Sequence, residues 1–227
     1  VLVKDTGKKP PREALKFYSA AGYSDESLQR YSELFGRFGM VVAELPEAYQ
    51  RLQDGMNLDI GDHRWTIVIG SGHSPEHACL YCEELNFLIS GDQILPTISS
   101  NVSVYPTEPH ANPLANWFDS LNRLHGFLPE DVLVLPAHGK PFRGAHFRLK
   151  ALIEEHETGL DKLRDACRQP QRAVDVFPSL FKSRITDNNL VMATGESLAH
   201  LHYLHDLGEM EIRRDEAGVK WYQLASA

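Results

Sequence analysis

Three short apolar runs in this chain each end on glycine or proline and then present a side chain able to bind metal. Trp65-Thr66-Ile67-Val68-Ile69 runs into Gly70-Ser71-Gly72-His73, Phe87-Leu88-Ile89-Ser90 into Gly91-Asp92, and Val132-Leu133-Val134-Leu135 into Pro136-Ala137-His138-Gly139. Runs rich in β-branched and apolar residues, bounded by glycine and proline, predict strands. Strand ends are rigid platforms, and the loops leaving them commonly carry sites.

The elements around these runs set the fold class. Asp54-Gly55 and Gly61-Asp62 are turn signals, and residues 78–81 and 87–89 read as short strands. Asn112-Pro113 opens a helix with Leu114, Trp117, Phe118, Leu121 and Leu124 at helical spacing. Strand, helix and a continuously apolar strand predict a layered α/β (α+β) arrangement over residues 54–144. Residues 1–53 read as a helical segment, with helices opening at Pro10-Pro11 and at the cap residue Ser24, and a third over 46–52. Residues 145–227 read as a long amphipathic helix over 145–168, short and longer helices over 174–181 and 196–207, and a terminal hairpin.

Composition narrows the function classes. At 227 residues the chain fits one large domain or two small ones. No apolar run approaches the roughly 18 residues of a membrane-spanning helix, so no membrane association is expected. A formal net charge of −8 disfavours nucleic acid as a partner. Three cysteines are too few and odd in number for a disulfide scaffold, which points to the reducing cytoplasm. The chain begins at Val1 without a signal-peptide pattern, and is read as a trimmed or partial sequence.

Two imidazoles and a carboxylate form a partial ligand set for Zn²⁺ or a similar ion. Taken in order, Gly-His-Ser-x-x-His, Ser-Gly-Asp and Leu-Pro-x-His-Gly resemble the third, fourth and fifth motifs of the metallo-β-lactamase superfamily. The resemblance implies an αββα sandwich whose edge holds two divalent metal ions, zinc first, with manganese or iron as alternatives. It makes His73 the last ligand of the first metal, Asp92 the catalytic carboxylate bridging both, and His138 a ligand of the second. His77 would be a supporting residue. The implied chemistry is attack of activated water on an ester, thioester, lactone, amide or phosphodiester.

The family's main motif, His-x-His-x-Asp-His, has no counterpart upstream, since His63 is the only histidine before His73. Each metal would then have two ligands from this chain, fewer than the three or four zinc usually takes. The expectation is the second half of a sandwich (54–144), followed by a winged-helix-like domain (145–227). Such a chain would belong to a hydrolase of small-molecule substrates and be inactive alone. The alternative is a non-catalytic binding module that retains half of the fold. A half-sandwich exposes an apolar sheet face, so a homo-oligomer or swapped dimer is expected to cover it.

Other metal-capable patterns carry less. His200-Leu201-His202-Tyr203-Leu204-His205 falls on a predicted helix, where residues two apart point to different sides. Cys79 and Cys82 face opposite sides of a predicted strand, and His156-Glu157 reads as a helix surface feature. The loop over 98–106, close behind Asp92, is a candidate for substrate contact. From 171 to 227 there are 6 basic and 8 acidic residues, and no Lys or Arg lies on the helix over 196–207. That disfavours DNA binding by the appendix.

Overall fold

The computed structural model, which describes residues 7–40, 42–43 and 46–225, turns the β-rich stretch after Asp54 into one mixed five-stranded sheet. The strands are β1 (Asn57–Ile60), β2 (His63–Gly70), β3 (His77–Cys82), β4 (Phe87–Gly91) and β5 (Leu133–Pro136), side by side in that order. The first four pair antiparallel, and β5 joins β4 in parallel. A parallel neighbour needs a crossover, and helix α3 (Pro113–Phe127) lies within it. The Asn112 side chain caps this helix by accepting from the Ala115 N–H at 3.2 Å, with Pro113 in its first turn.

Register explains why one sheet face is finished and the other is not. Tyr81, Leu88 and Val134 are cross-strand neighbours on one face, and all three are buried. Helix α3 covers this face with Trp117, Leu121 and Leu124, and Phe127 meets the Tyr81 ring edge-on at 5.5 Å. Each such buried aliphatic side chain is worth about 1.5–3 kcal/mol. One residue along, Ile67, Leu80, Ile89 and Leu135 form a row on the opposite face. In that row Ile67 is fully buried, Leu80 and Leu135 are half-buried, and Ile89 is 38% exposed.

The described residues divide into two compact units. The sheet unit comprises 51–103 and 112–159, and so includes the first part of helix α4 (Ala145–Ala166). The other comprises residues up to 50, 104–111 and those from 160 on. It holds α1 (Arg12–Ala20), α2 (Asp25–Leu34), α5 (Phe177–Leu180), α6 (Leu190–Asp206) and the hairpin β6 (Met210–Arg214) with β7 (Lys220–Leu224). Its core includes stacked Tyr18 and Tyr23, with the Tyr23 hydroxyl 3.1 Å from that of Thr194. A bidentate pair ties Arg164 to Glu209 at 2.6 and 2.9 Å.

Four sequence expectations need correction. Residues 46–52 are not helical: Tyr49 is 83% exposed, and the segment has no apolar stripe to bury. Helix α6 starts at Leu190 rather than 196, because Leu190, Ala193 and Thr194 continue its packed face despite Gly195. The helix expected over 174–181 is one turn, with Pro178 inside it. His156 is no surface feature; it is 4% exposed, with the Trp117 and Phe118 rings edge-on to it. Val1 lies outside the described residues.

Candidate functional site

Three loops leave the same sheet beside one another and bring His73, Asp92 and His138 together. His73 lies between β2 and β3, on a turn that glycine alone fits. Gly72 has φ +103°, and a Cβ there would stand 2.6 Å from the Trp117 Cβ and 2.7 Å from its Cα. Asp92 follows β4, whose register with β5 shifts between Ile89 and Gly91. Gly91 has φ +54°, and a Cβ on it would meet the His77 Nε2 at 2.3 Å. His138 follows β5, next to Gly139.

The geometry centres on the Asp92 carboxylate. The His73 Nε2 lies 3.7 Å from Oδ2, and the His138 Nε2 lies 3.4 Å from Oδ1. Both distances are too long for a hydrogen bond. Asp92 Oδ1 is buried and has no hydrogen-bond partner. Such an atom calls for an explanation, and an ion is one. The His73 Nδ1 is 2.7 Å from the Asn101 carbonyl, so Nδ1–H donates there and Nε2 is the ring atom that faces Asp92.

His77 sits behind this group. Its Nε2 is 3.1 Å from the Ser90 carbonyl and 3.2 Å from the Asp92 backbone N–H. Protonated, Nε2 donates to Ser90; unprotonated, it accepts from Asp92. Burial first, then His73, lowers its pKa below the usual imidazole value. A neutral ring against the Asp92 backbone can orient that residue.

Sequence reasoning missed three further parts. The Asn101 carbonyl carries no side-chain signal. Ser100 Oγ donates to the Asp92 carbonyl at 2.5 Å. Gln93 is fully buried, with Nε2 3.2 Å from Ser120 Oγ, which also accepts from the Ser71 N–H at 3.1 Å. Gln93 thereby ties the Asp92 loop to the His73 loop, and a Cβ at Gly70 would overlap it at 2.3 Å. Among the described residues, no group of three or more His, Cys, Asp or Glu side chains is gathered tightly enough to hold a metal ion. The His200, His202 and His205 rings each place Nδ1 on a backbone carbonyl, of Glu196, Ala111 and Met210 respectively.

The family model described as "Metallo-beta-lactamase superfamily" matches residues 12–138, and "Metallo-beta-lactamase-like, C-terminal domain" matches 160–225. A crystal structure of a beta-lactamase domain protein from Burkholderia ambifaria is 39% identical with a TM-score of 0.85, covering 92% of this chain and 60% of that one. A metallo-beta-lactamase family protein from Thermus thermophilus shares the fold at 24% identity and a TM-score of 0.76, over 93% of this chain and 64% of its own. The probable metallo-hydrolase YqjP of Bacillus subtilis is 25% identical over 157 residues, which are 67% of this chain and 48% of that protein. An atrochrysone carboxyl ACP thioesterase of Aspergillus fumigatus is 25% identical over 142 residues, 63% of this chain and 31% of its own length. The chain thus spans less than two thirds of each of these relatives.

Proposed function

Because the chain belongs to the metallo-β-lactamase superfamily, we propose that it is part of a metal-dependent hydrolase of ester-type bonds in small molecules, thioesters and lactones first. The observation that carries this reading is the buried Asp92 Oδ1, which has no hydrogen bond, with an imidazole Nε2 on either side of the carboxylate. Imidazole and carboxylate are donors that suit zinc, with manganese or iron as alternatives. In this reading His73 and Asp92 would hold one of two ions, and Asp92 and His138 the other. A divalent ion supplies Lewis acidity and lowers the pKa of water. The chain's own residues do the rest: Asn101 aims His73, while His77 and Ser100 hold the Asp92 backbone. The relative named a metallo-hydrolase supports metal-dependent hydrolysis, and the one named a thioesterase supports the ester-type class.

The test is a panel of thioesters, lactones, β-lactams and phosphodiesters offered to the full gene product, with zinc or manganese added and after chelation. Turnover of a thioester or lactone that chelation abolishes is expected; a panel with no metal-dependent turnover would favour the non-catalytic module. The 227-residue polypeptide alone contributes two ligands per ion, so we expect it to bind zinc weakly and to be inactive. Tight uptake of two zinc ions per chain would overturn that expectation.

The same reading extends to the surroundings of the site. In this reading the sheet unit is the catalytic half, and the helices and hairpin from residue 160 on form a winged-helix-like domain. Helix α6 carries no Lys or Arg, which supports a role other than nucleic-acid binding. Cys79, Cys82 and Cys167 are all free and buried, in keeping with a reducing cytoplasm. No helix among the described residues is long and apolar enough to cross a membrane. The half-exposed row of Leu80, Ile89 and Leu135 supports a second copy of this polypeptide as its cover. Size-exclusion chromatography with light scattering should give a dimer that Ile89→Lys dissociates; a monomer at high concentration would refute this.

A further inference from the structure

Helix α4 turns two polar side chains inward toward the loop behind Asp92. Arg148 and His156 are eight residues apart, a little over two turns, so they share a face with Leu149 and Leu152. Both are buried, at 8% and 4% exposure. A guanidinium is seldom buried this far unless its donors are engaged. Two of its nitrogens are engaged: Arg148 Nε donates to the Leu95 carbonyl at 2.7 Å and Nη1 to Glu155 Oε1 at 3.1 Å, while Nη2 is buried without a hydrogen bond. His156 Nε2 is 3.0 Å from Ser99 Oγ.

Both contacts fall on one irregular segment. Its start is held where Ser90 Oγ donates to the Ile94 carbonyl at 2.9 Å, and its end offers the Asn101 carbonyl to His73. Helix α4 therefore grips the segment at 95 and 99, two residues short of the atom that selects the His73 tautomer. These grips act together with the Ser100 Oγ bond to the Asp92 carbonyl to define where residue 101 points. We propose that Arg148 and His156 are positioning residues for His73, acting through the 95–101 segment. The inference rests on the metal reading only for its consequence, since the tautomer of His73 can be read without metal.

The experiment is long-range ¹H–¹⁵N spectroscopy of the histidine rings in the metal-free chain at about pH 8. The wild-type chain should show His73 as the Nδ1–H form alone. Ser99→Ala and His156→Leu should each convert it to an exchanging mixture. His156→Gln, which keeps a polar atom near the Nε2 position, should restore the single form. Ser99→Ala alone decides if the leucine variant does not fold, because Ser99 is only half-buried. Folded Ser99→Ala protein with the wild-type His73 signature would overturn the proposal. A zinc titration supplies the second arm: an orienting partner of a metal-bound histidine changes affinity by about 10–100-fold. We expect about a ten-fold loss in Ser99→Ala, and equal affinity despite a mixed tautomer would overturn the consequence for metal. Failure of wild-type protein to bind zinc at all would overturn the metal reading itself, while the tautomer result would still judge the role of the segment.

Discussion

Asp92→Asn is expected to separate metal binding from folding, and in opposite directions. Zinc affinity should fall by at least about 100-fold, more than the loss of an orienting partner brings. Thermal stability of the metal-free protein should hold or rise. Two facts set the second sign. The fold uses residue 92 through its backbone, whose N–H meets His77 and whose carbonyl accepts from Ser100, and the substitution leaves both in place. The carboxylate oxygen Oδ1, by contrast, is buried with no hydrogen bond. A buried polar group without a partner costs about 1–3 kcal/mol, and more when it is charged. Neutralising it removes part of that cost. Calorimetric zinc titration and melting curves in chelator, both at about pH 8, measure the two effects. If Asp92→Asn instead loses more than about 2 kcal/mol of stability without metal, the carboxylate is a structural group and the ligand reading fails.

How far the sequence announces this site depends on what kind of atom does each job. The ligand candidates are legible because strand ends are: an apolar run, a glycine or proline, then His73, Asp92 or His138. The glycines before them are legible as turns, but their reason is not. Gly91 is required by the His77 ring and Gly72 by the Trp117 backbone, contacts that exist only once β3 and α3 are in place. The Asn101 carbonyl is invisible in sequence because every residue has one. His156 misleads for a related reason. Flanked by glutamates, it looks solvent-facing, yet a helix buries by face rather than by neighbour, and its face is shared with Leu149 and Leu152. The sheet order follows from short loops between β1 and β4, whereas the covered and uncovered faces require the register.

The histidine-rich turn of α6 makes a prediction of its own, because burial gives it an acid liability that metal binding would not. His200 is 2% exposed, its Nδ1–H donates to the Glu196 carbonyl at 2.8 Å, and burial lowers its pKa from 6.5 to about 4. The unfolded chain therefore takes up this proton near pH 6.5, while the folded chain resists until about pH 4. Between those values the unfolded state binds more protons, so stability falls as the pH falls and is fully retained only above the unfolded value. The difference corresponds to about 3 kcal/mol at the acid end of the window. His202, also lowered chiefly by burial, acts in the same direction. His200→Leu should remove most of the slope. It should cost little at pH 7, since the Glu196 carbonyl keeps the i to i+4 bond of the helix backbone. Urea unfolding of both proteins at pH 7 and pH 5 decides the matter. The wild-type midpoint should drop markedly more than the variant's, whereas equal drops would mean that His200 is not the group the acid attacks. Zinc separates the two accounts of these rings: a metal-binding cluster would be stabilised by the ion at pH 7, whereas rings whose Nδ1 atoms already serve the carbonyls of Glu196, Ala111 and Met210 should leave this unit's unfolding unchanged.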